Sequence, residues 1–234
     1  MSPSITNLEL MTDSRAIDVL PAFFSKLPSL RSLQLHEREY GPTDWSLEAT
    51  EQTFLLALPK CVAVLGNLRS LFITRVTLPL LEHDIEVFSL LKTVQSLHIQ
   101  SMCLTPKSVH TRFEKFLDAV SETSIEELNL APYPHHKVTV EEFWKAMMFV
   151  ATHKSLRLSH LGVNLYRREH SHCKYDAYQN NMAEKLATSL NSRRVAREYS
   201  MTYEYMDSID SELHQFCITT TNGKKYYSYH GTEG

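Results

Sequence analysis

The chain has 234 residues and only six glycines. None of them builds a G-x-G-x-x-G loop, and "TNGKK" around Lys224 lacks the first Gly and closing Ser/Thr of a phosphate loop. Backbone N–H groups reach a phosphate only where Gly permits close approach, so nucleotide-cradling turns find no support. Cysteine is scarce as well. Cys61, Cys103, Cys173 and Cys217 lie far apart, with no C-x-x-C pair, and no Asn-x-Ser/Thr sequon occurs. A chain of this length does not depend on disulfides for its core, so reduced thiols and a cytoplasmic or nuclear setting are expected. No apolar run approaches the roughly 20 residues that span a bilayer, which argues against a membrane partner. The start, "MSPSITNLELMTDS", has no basic region followed by an apolar run, which argues against a signal peptide. Excess charge of one sign is also missing: the net charge is -3, so nothing argues for nucleic acid as a bulk electrostatic partner. Neither a G-x-S-x-G elbow nor an H-E-x-x-H pair occurs; "HEREY" at His36 ends in Tyr40.

What the chain has is recurrence. "SLRSLQLHE" (Ser29–Glu37), "NLRSLFITRVTLP" (Asn67–Pro79) and "TVQSLHIQS" (Thr93–Ser101) are variants of one phrase. The template L-x-x-L-x-L, with any aliphatic allowed, fits Ile5/Leu8/Leu10, Leu30/Leu33/Leu35 and Leu68/Leu71/Ile73. It fits again at Val94/Leu97/Ile99, Ile125/Leu128/Leu130 and Leu158/Leu161/Val163. Successive central positions lie 25, 38, 26, 31 and 33 residues apart. Between the matches the apolar spacing becomes helical. The stripes are Ile17/Leu20/Phe24/Leu27, then Phe54/Leu58/Cys61/Val62/Leu65 with Pro59 as a kink, then Leu81/Ile85/Phe88/Leu91. Phe113/Phe116/Leu117/Val120, Val140/Phe143/Trp144/Met147/Ala151 and Tyr178/Met182/Leu186/Leu190 complete the series. Thr139 followed by Glu142 reads as an N-terminal helix cap. The unit is a strand, a turn and an amphipathic helix. Neither element buries its apolar face alone, and stacking with parallel strands buries both.

The periodicity resembles the leucine-rich-repeat superfamily, in particular its longer helix-bearing repeats of the ribonuclease-inhibitor and F-box types, over roughly Ile5 to Leu190. The likeness implies an α/β solenoid of about six strand-helix units with parallel strands. Its pattern departs from the family's five residues after each middle Leu, where Asn or Cys is usual. Here that position holds Asp13, Arg38, Val76, Met102, Tyr133 and Tyr166. The sequence is similar to the degenerate repeats of fungal F-box/LRR-like proteins, although no F-box is visible. "VLPAFFSKLP" (Val19–Pro28) shares only an LP step with such a motif. An ordinary Rossmann- or flavodoxin-type sheet is the competing fold.

Residues 1–195 are expected to form the repeats, and residues 196–234 a strand and hairpin that cap them within one domain. Tyr199, Met201, Tyr203 and Tyr205 alternate with polar residues, and Asn222-Gly223 is the preferred pair for a two-residue hairpin turn. That turn sets Phe216 opposite Tyr229 and Ile218 opposite Tyr227. Almost nothing precedes the first repeat, so its end is expected to be covered by another chain or by a segment absent from this sequence.

Residues between the aliphatics point away from the helices. They form columns: Asn7, Ser32, Ser70, Ser96, Glu127, His160; then Glu9, Gln34, Phe72, His98, Asn129, Gly162; then Met11, His36, Thr74, Gln100, Ala131, Asn164. From these, Gln34, His36, Phe72, Thr74, His98, Gln100, Asn129 and Asn164 are the candidate contacts for a protein partner on a concave sheet face, with Phe72 as aromatic anchor. A solvated sheet face also needs polar residues at alternate positions, and Phe72 fits that account least well. The expected function is a non-catalytic interaction scaffold without a cofactor, F-box/LRR-like by resemblance. The alternative is a metal-dependent enzyme of an unrecognised α/β type, centred on His170, His172, Cys173 and Asp176. His and Cys suit zinc, but a fourth ligand at family spacing is missing. Arg193, Arg194 and Arg197, which with Lys224 and Lys225 could form a basic patch, are explained by the favourable placement of cations at a helix C-terminus.

Overall fold

The computed structural model describes residues 4–12, 19–37, 61, 64–74, 88, 90–104, 106, 108–134, 138–167, 176–193, 196–206, 213–221 and 224–231. Nine strands form one open sheet in sequence order, β1 through β9. They are β1 (Asn7–Thr12), β2 (Ser32–Glu37), β3 (Ser70–Thr74), β4 (Ser96–Leu104), β5 (Glu127–Pro134), β6 (Leu158–Arg167), β7 (Ala196–Met206), β8 (Leu213–Thr221) and β9 (Lys224–Gly231). The first seven run parallel, and β8 and β9 are antiparallel additions. The described helices are α1 (Leu20–Phe24), α2 (Phe113–Ser121, entered through a π-helical turn at Ser108–Arg112), α3 (Val140–Thr152) and α4 (Asp176–Arg193). Right-handed crossovers between strands laid down in sequence order put the described connecting helices on the same side of the sheet, where they share one core. A doubly wound sheet reverses its strand order, and this one never does.

The six aliphatic triplets lie side by side. Leu8, Leu33, Leu71, Leu97, Leu128 and Leu161 are register partners across six strands. From β2 onward all of these, and the aliphatics two residues later, are buried against the helices. Leu30, Leu68, Val94, Ile125 and Leu158 lead into their strands from buried positions, whereas Ile5 is exposed. The helical stripes fill the other half of the core through Leu20, Phe24, Phe88, Phe113, Phe116, Trp144, Met147 and Leu186. Tyr178, expected at the head of the last stripe, is exposed instead, and the apolar face of α4 begins at the partly buried Met182. The Pro59 kink lies outside the described residues, and so do Ile17, Phe54, Leu58, Val62, Leu81 and Ile85 of the helical stripes.

Strands β2 to β6 share one mode of entry. A tight turn closes on Leu27–Leu30, Leu65–Leu68 and Leu91–Val94 with N–H to carbonyl bonds of 3.0 to 3.2 Å. One carbonyl of the preceding unit then accepts two N–H groups of the next. Thr6 receives Arg31 and Ser32; Arg31 receives Arg69 and Ser70; Arg69 receives Gln95 and Ser96; Gln95 receives Glu126 and Glu127; Glu126 receives Ser159 and His160. Buried main-chain groups need partners, and here the main chain itself supplies them at the entries of β2 to β6. Further along, the Asn or Cys position of the resembled repeats behaves differently. Met102 is fully buried, and β4 and β5 go on pairing through Met102–Pro132 and Leu104–Pro134 after a register shift beyond Ile99. Proline is tolerated there because β5 pairs with β6 only through Leu130. Asp13, Arg38 and Val76 lie outside the described residues.

The parallel series is longer than expected. β7 is a seventh parallel strand, not part of the terminal hairpin, with Leu161 paired to Tyr199 and Val163 to Met201. Both side chains are buried, and the Tyr199 hydroxyl donates to the Ala187 carbonyl of α4 at 3.0 Å. A polar tip thereby occupies an aliphatic's place without an unmet hydrogen bond. The hairpin has the expected pairing: Phe216 opposes Tyr229, Ile218 opposes Tyr227, and Thr221 opposes Lys224. Asn222 and Gly223 lie between that last pair, outside the described residues. Thr139 caps α3 in a full capping box with Glu142, whose carboxyl is held below the usual range chiefly by the Thr139 N–H.

Two substitutions test this packing. Leu128→Ala should cost about 2–5 kcal/mol, because it leaves a cavity where strand and helices meet. Tyr199→Phe should cost only about 0.5–1.5 kcal/mol, the net value of one hydrogen bond. Urea denaturation followed by circular dichroism measures both. A silent Leu128→Ala would contradict the shared core.

Candidate functional site

The face away from the helices carries a row set by register. Gln34 pairs with Phe72, Phe72 with His98, His98 with Asn129, and Asn129 with Gly162. Gln34 is exposed, while Phe72, His98 and Asn129 are half-buried. The Phe72 ring lies 5.2 Å from the His98 ring at 30°, and 6.5 Å from the His36 ring at 44°. Three rings from β2, β3 and β4 therefore make one strip. His36 Nε2 sits 3.1 Å from Glu9 Oε1 on β1.

His98 is held from two sides. Asn129 Nδ2 donates to its Nε2 at 3.2 Å, and Ser96 Oγ lies 3.2 Å from the same nitrogen. Accepting at Nε2 places the proton on Nδ1 and keeps the ring neutral. The pKa of His98 is lowered from its ordinary value, first by burial and then by the nearby His160; the Glu127 carboxylate opposes both. Asn129 reaches its position because its neighbour has no side chain. A Cβ on Gly162 would come within 1.8 Å of Asn129 Oδ1 and 2.9 Å of its Cγ. Gly162 is buried, and a glycine inside a strand commonly marks such a close approach.

The structure brings together Gln34, His36, Phe72, His98 and Asn129. Thr74 holds register with His36. Gln100 is exposed but lies beyond the last β3–β4 register pair, where the strands shift, and Ala131 of the same expected column is buried. The shift beyond Ile99 turns that column out of line. Asn164 is half-buried on β6, two strands from His98, and pairs with Thr202. Ser96, Gly162, Glu127 and His160 act on the row and were not among the candidate contacts. Gly162 is detectable in the sequence as the one glycine of its column.

Other groups have structural roles. His153 Nε2 lies 3.0 Å from Asp118 Oδ1, tying the end of α3 to α2. Its Nδ1 is buried, so no substrate reaches the second nitrogen of this pair. His110 and Glu142 pair at 3.0 Å beside the α3 cap. The Cys61 thiol is buried and pushed up to about 11, which leaves it protonated and unreactive at neutral pH. Among the described residues no three His, Cys, Asp or Glu come together as metal ligands. His170, His172 and Cys173 lie outside the described residues, and Asp176 opens α4. No described helix is long and apolar enough to cross a membrane. An open apolar recess of about 450 Å³ beside β1 is lined by Leu10, Val19, Leu20, Ala22, Phe23 and Lys26. No family model matches the chain, and no curated protein matches it.

A lowered pKa means that the folded chain takes up this proton less readily than the unfolded chain. His98 therefore contributes stability that is fully present above about 6.5 and is lost as pH falls through its lower folded value. An NMR titration of the His98 ring should show a midpoint below 6.5; a midpoint at or above it would refute the buried, neutral assignment. Gly162→Ala should displace Asn129 and shift the His98 ring resonances. Identical spectra would show that the contact does not constrain Asn129.

Proposed function

We propose that the chain is a non-catalytic scaffold, LRR-like in its repeat logic, that binds a protein partner on the helix-free face of its sheet. The row centred on Phe72, His98 and Asn129 carries this reading. A large aromatic sits in the middle of a solvent-facing sheet surface and is flanked by two imidazoles. Its neighbour His98 is oriented by Asn129. Partially desolvated aromatics beside fixed polar groups are the usual anchors of protein interfaces. Fixing them beforehand reduces the entropy lost on binding. Fixed strand register gives the face rigid spacing, which loops do not provide. By its resemblance the chain would serve as an adaptor of the F-box/LRR kind, with partner choice set by this face.

The test compares capture of a partner from the protein's own cells by the wild-type chain and by a Phe72→Ala/His98→Ala/Asn129→Ala variant. All three side chains lie outside the helix-packed core, so the variant should melt cooperatively as the wild type does. Loss of capture with the fold intact is the expected result. Undiminished capture removes this face from consideration.

A further inference from the structure

We infer that the partner presents an extended basic segment, with an arginine or lysine seated over the Phe72 ring and further bases directed to Glu9 and Glu127; this rests on the scaffold reading above. Two columns of the helix-free face keep their register from β1 to β7, one running from Asn7 to Glu198 and the other from Glu9 to Ser200. Their charged residues are Glu9, Glu127 and Glu198, all exposed. Neither column holds a lysine or an arginine. The whole chain has 24 basic and 27 acidic residues, so an even spread would mix the two signs here. Arg31 and Arg69 stand one residue before β2 and β3, at positions of the opposite parity. Arg69 Nη1 is turned to the Thr93 carbonyl, to which it donates at 3.0 Å.

The carboxylates act at both ends of the ring strip. Glu9 shares the column of Phe72, and Glu127 begins the adjoining column on β5. Each lies two strands from Phe72, about 10 Å across the sheet. Glu9 Oε1 is 3.1 Å from His36 Nε2, and the His36 ring is 6.5 Å from that of Phe72. On the other side the Glu127 carboxylate favours positive charge at His98, whose ring is 5.2 Å from that of Phe72. Burial and the Asn129 hydrogen bond keep His98 itself neutral, so the strip supplies no cation of its own. Beside the strip the adjoining column places only the short side chains of Ser32, Ser70 and Ser96. A cation within about 6 Å of an aromatic centroid is attracted by the ring's quadrupole. Guanidinium also stacks on planar rings, which suits the Phe72–His98 pair. Bases at i, i+2 and i+4 of an extended segment share one face and span about 13 Å. The middle one then meets the ring, and the long outer side chains reach toward Glu9 and Glu127.

Capped peptides Arg-Gly-Arg-Gly-Arg, Gln-Gly-Gln-Gly-Gln and Glu-Gly-Glu-Gly-Glu, titrated into the full chain and followed by NMR, test the inference. The basic peptide should bind about three- to thirtyfold more tightly than the neutral one, the combined value of one cation–π contact and two exposed ion pairs. The acidic peptide should bind least, and the basic advantage should shrink with added salt. Glu9→Lys/Glu127→Lys should move the preference to the acidic peptide. Phe72→Leu keeps apolar bulk without a π face, so it should weaken the basic peptide and leave the neutral one unchanged. Glu114→Lys/Glu184→Lys, at exposed carboxylates of α2 and α4, should leave the ranking as in the wild type. If that helix-side pair lowers the basic preference as much as the face pair does, the attraction is bulk charge and the inference fails. It fails too if the three peptides bind alike, or if none shifts a face resonance at millimolar concentration. The capture test with Phe72→Ala/His98→Ala/Asn129→Ala then judges the scaffold reading separately. Lost capture keeps the face and removes only its basic preference; undiminished capture removes both.

Discussion

The order of the open face depends on the carbonyl that receives two N–H groups at the entries of β2 to β6. Thr6, Arg31, Arg69, Gln95 and Glu126 repeat this contact with nearly constant geometry. A strand has a side-chain period of two, so a slip of one residue would turn each buried leucine to solvent and each polar residue into the core. The paired bonds and the leucines that follow them prevent that slip together. Once Ser32, Ser70 and Ser96 are aligned, the placement of Phe72 beside His98 follows without further choice. The helix side and the open side are thus coupled through the register alone.

The strand ends depart from the repeat pattern expected from the sequence. There a side-chain Asn or Cys satisfies loop backbone after the strand. Here β4 and β5 stay extended through that point, and Met102 packs into the core. The main chain is satisfied by more sheet instead of by a side-chain ladder. Longer strands have a consequence for the face: the ladder shifts register beyond Ile99, and the third column loses its alignment there. The orderly part of the surface is therefore its first two columns, where the serines, the rings and Asn129 lie.

Much of this was legible in the primary structure because it depends on period. The six triplets, their parallel alignment, the hairpin pairing of Phe216 with Tyr229 and the Thr139 cap follow from spacing and from local backbone chemistry. The seventh strand was not legible as a repeat, because Tyr199 and Met201 stand where aliphatics were sought. Tyr199 is acceptable because the Ala187 carbonyl, brought alongside by α4, accepts a hydrogen bond from its hydroxyl. Nothing local announces that bond. The misplacement of Gln100 and Ala131 has a similar origin, since a register shift arises between strands and leaves no mark on either one. The hold of Asn129 on His98 needs both the absence of a side chain at Gly162 and the spacing between neighbouring strands. Gly162 could be read from the sequence, but the direction of the Asn129 side chain could not.

The row through β3 to β6 goes against local preference at three of its four places. Phe72 leaves part of a large aromatic toward water, at a cost of about 25 cal/mol for each Å² that is not buried. His98 is partly desolvated, which disfavours its charged form. Gly162 weakens an interior strand by giving up backbone entropy and side-chain packing. A face that only had to be solvated would place Thr, Ser or Lys at these positions and avoid each penalty. Departures of this kind gather where a sequence answers to something besides folding. Here they belong to one row and are linked through ring contact, the Asn129 hydrogen bond and the steric clearance at Gly162. Each makes sense only if its neighbour on the next strand is held in place, which is the arrangement that an anchor for a partner requires.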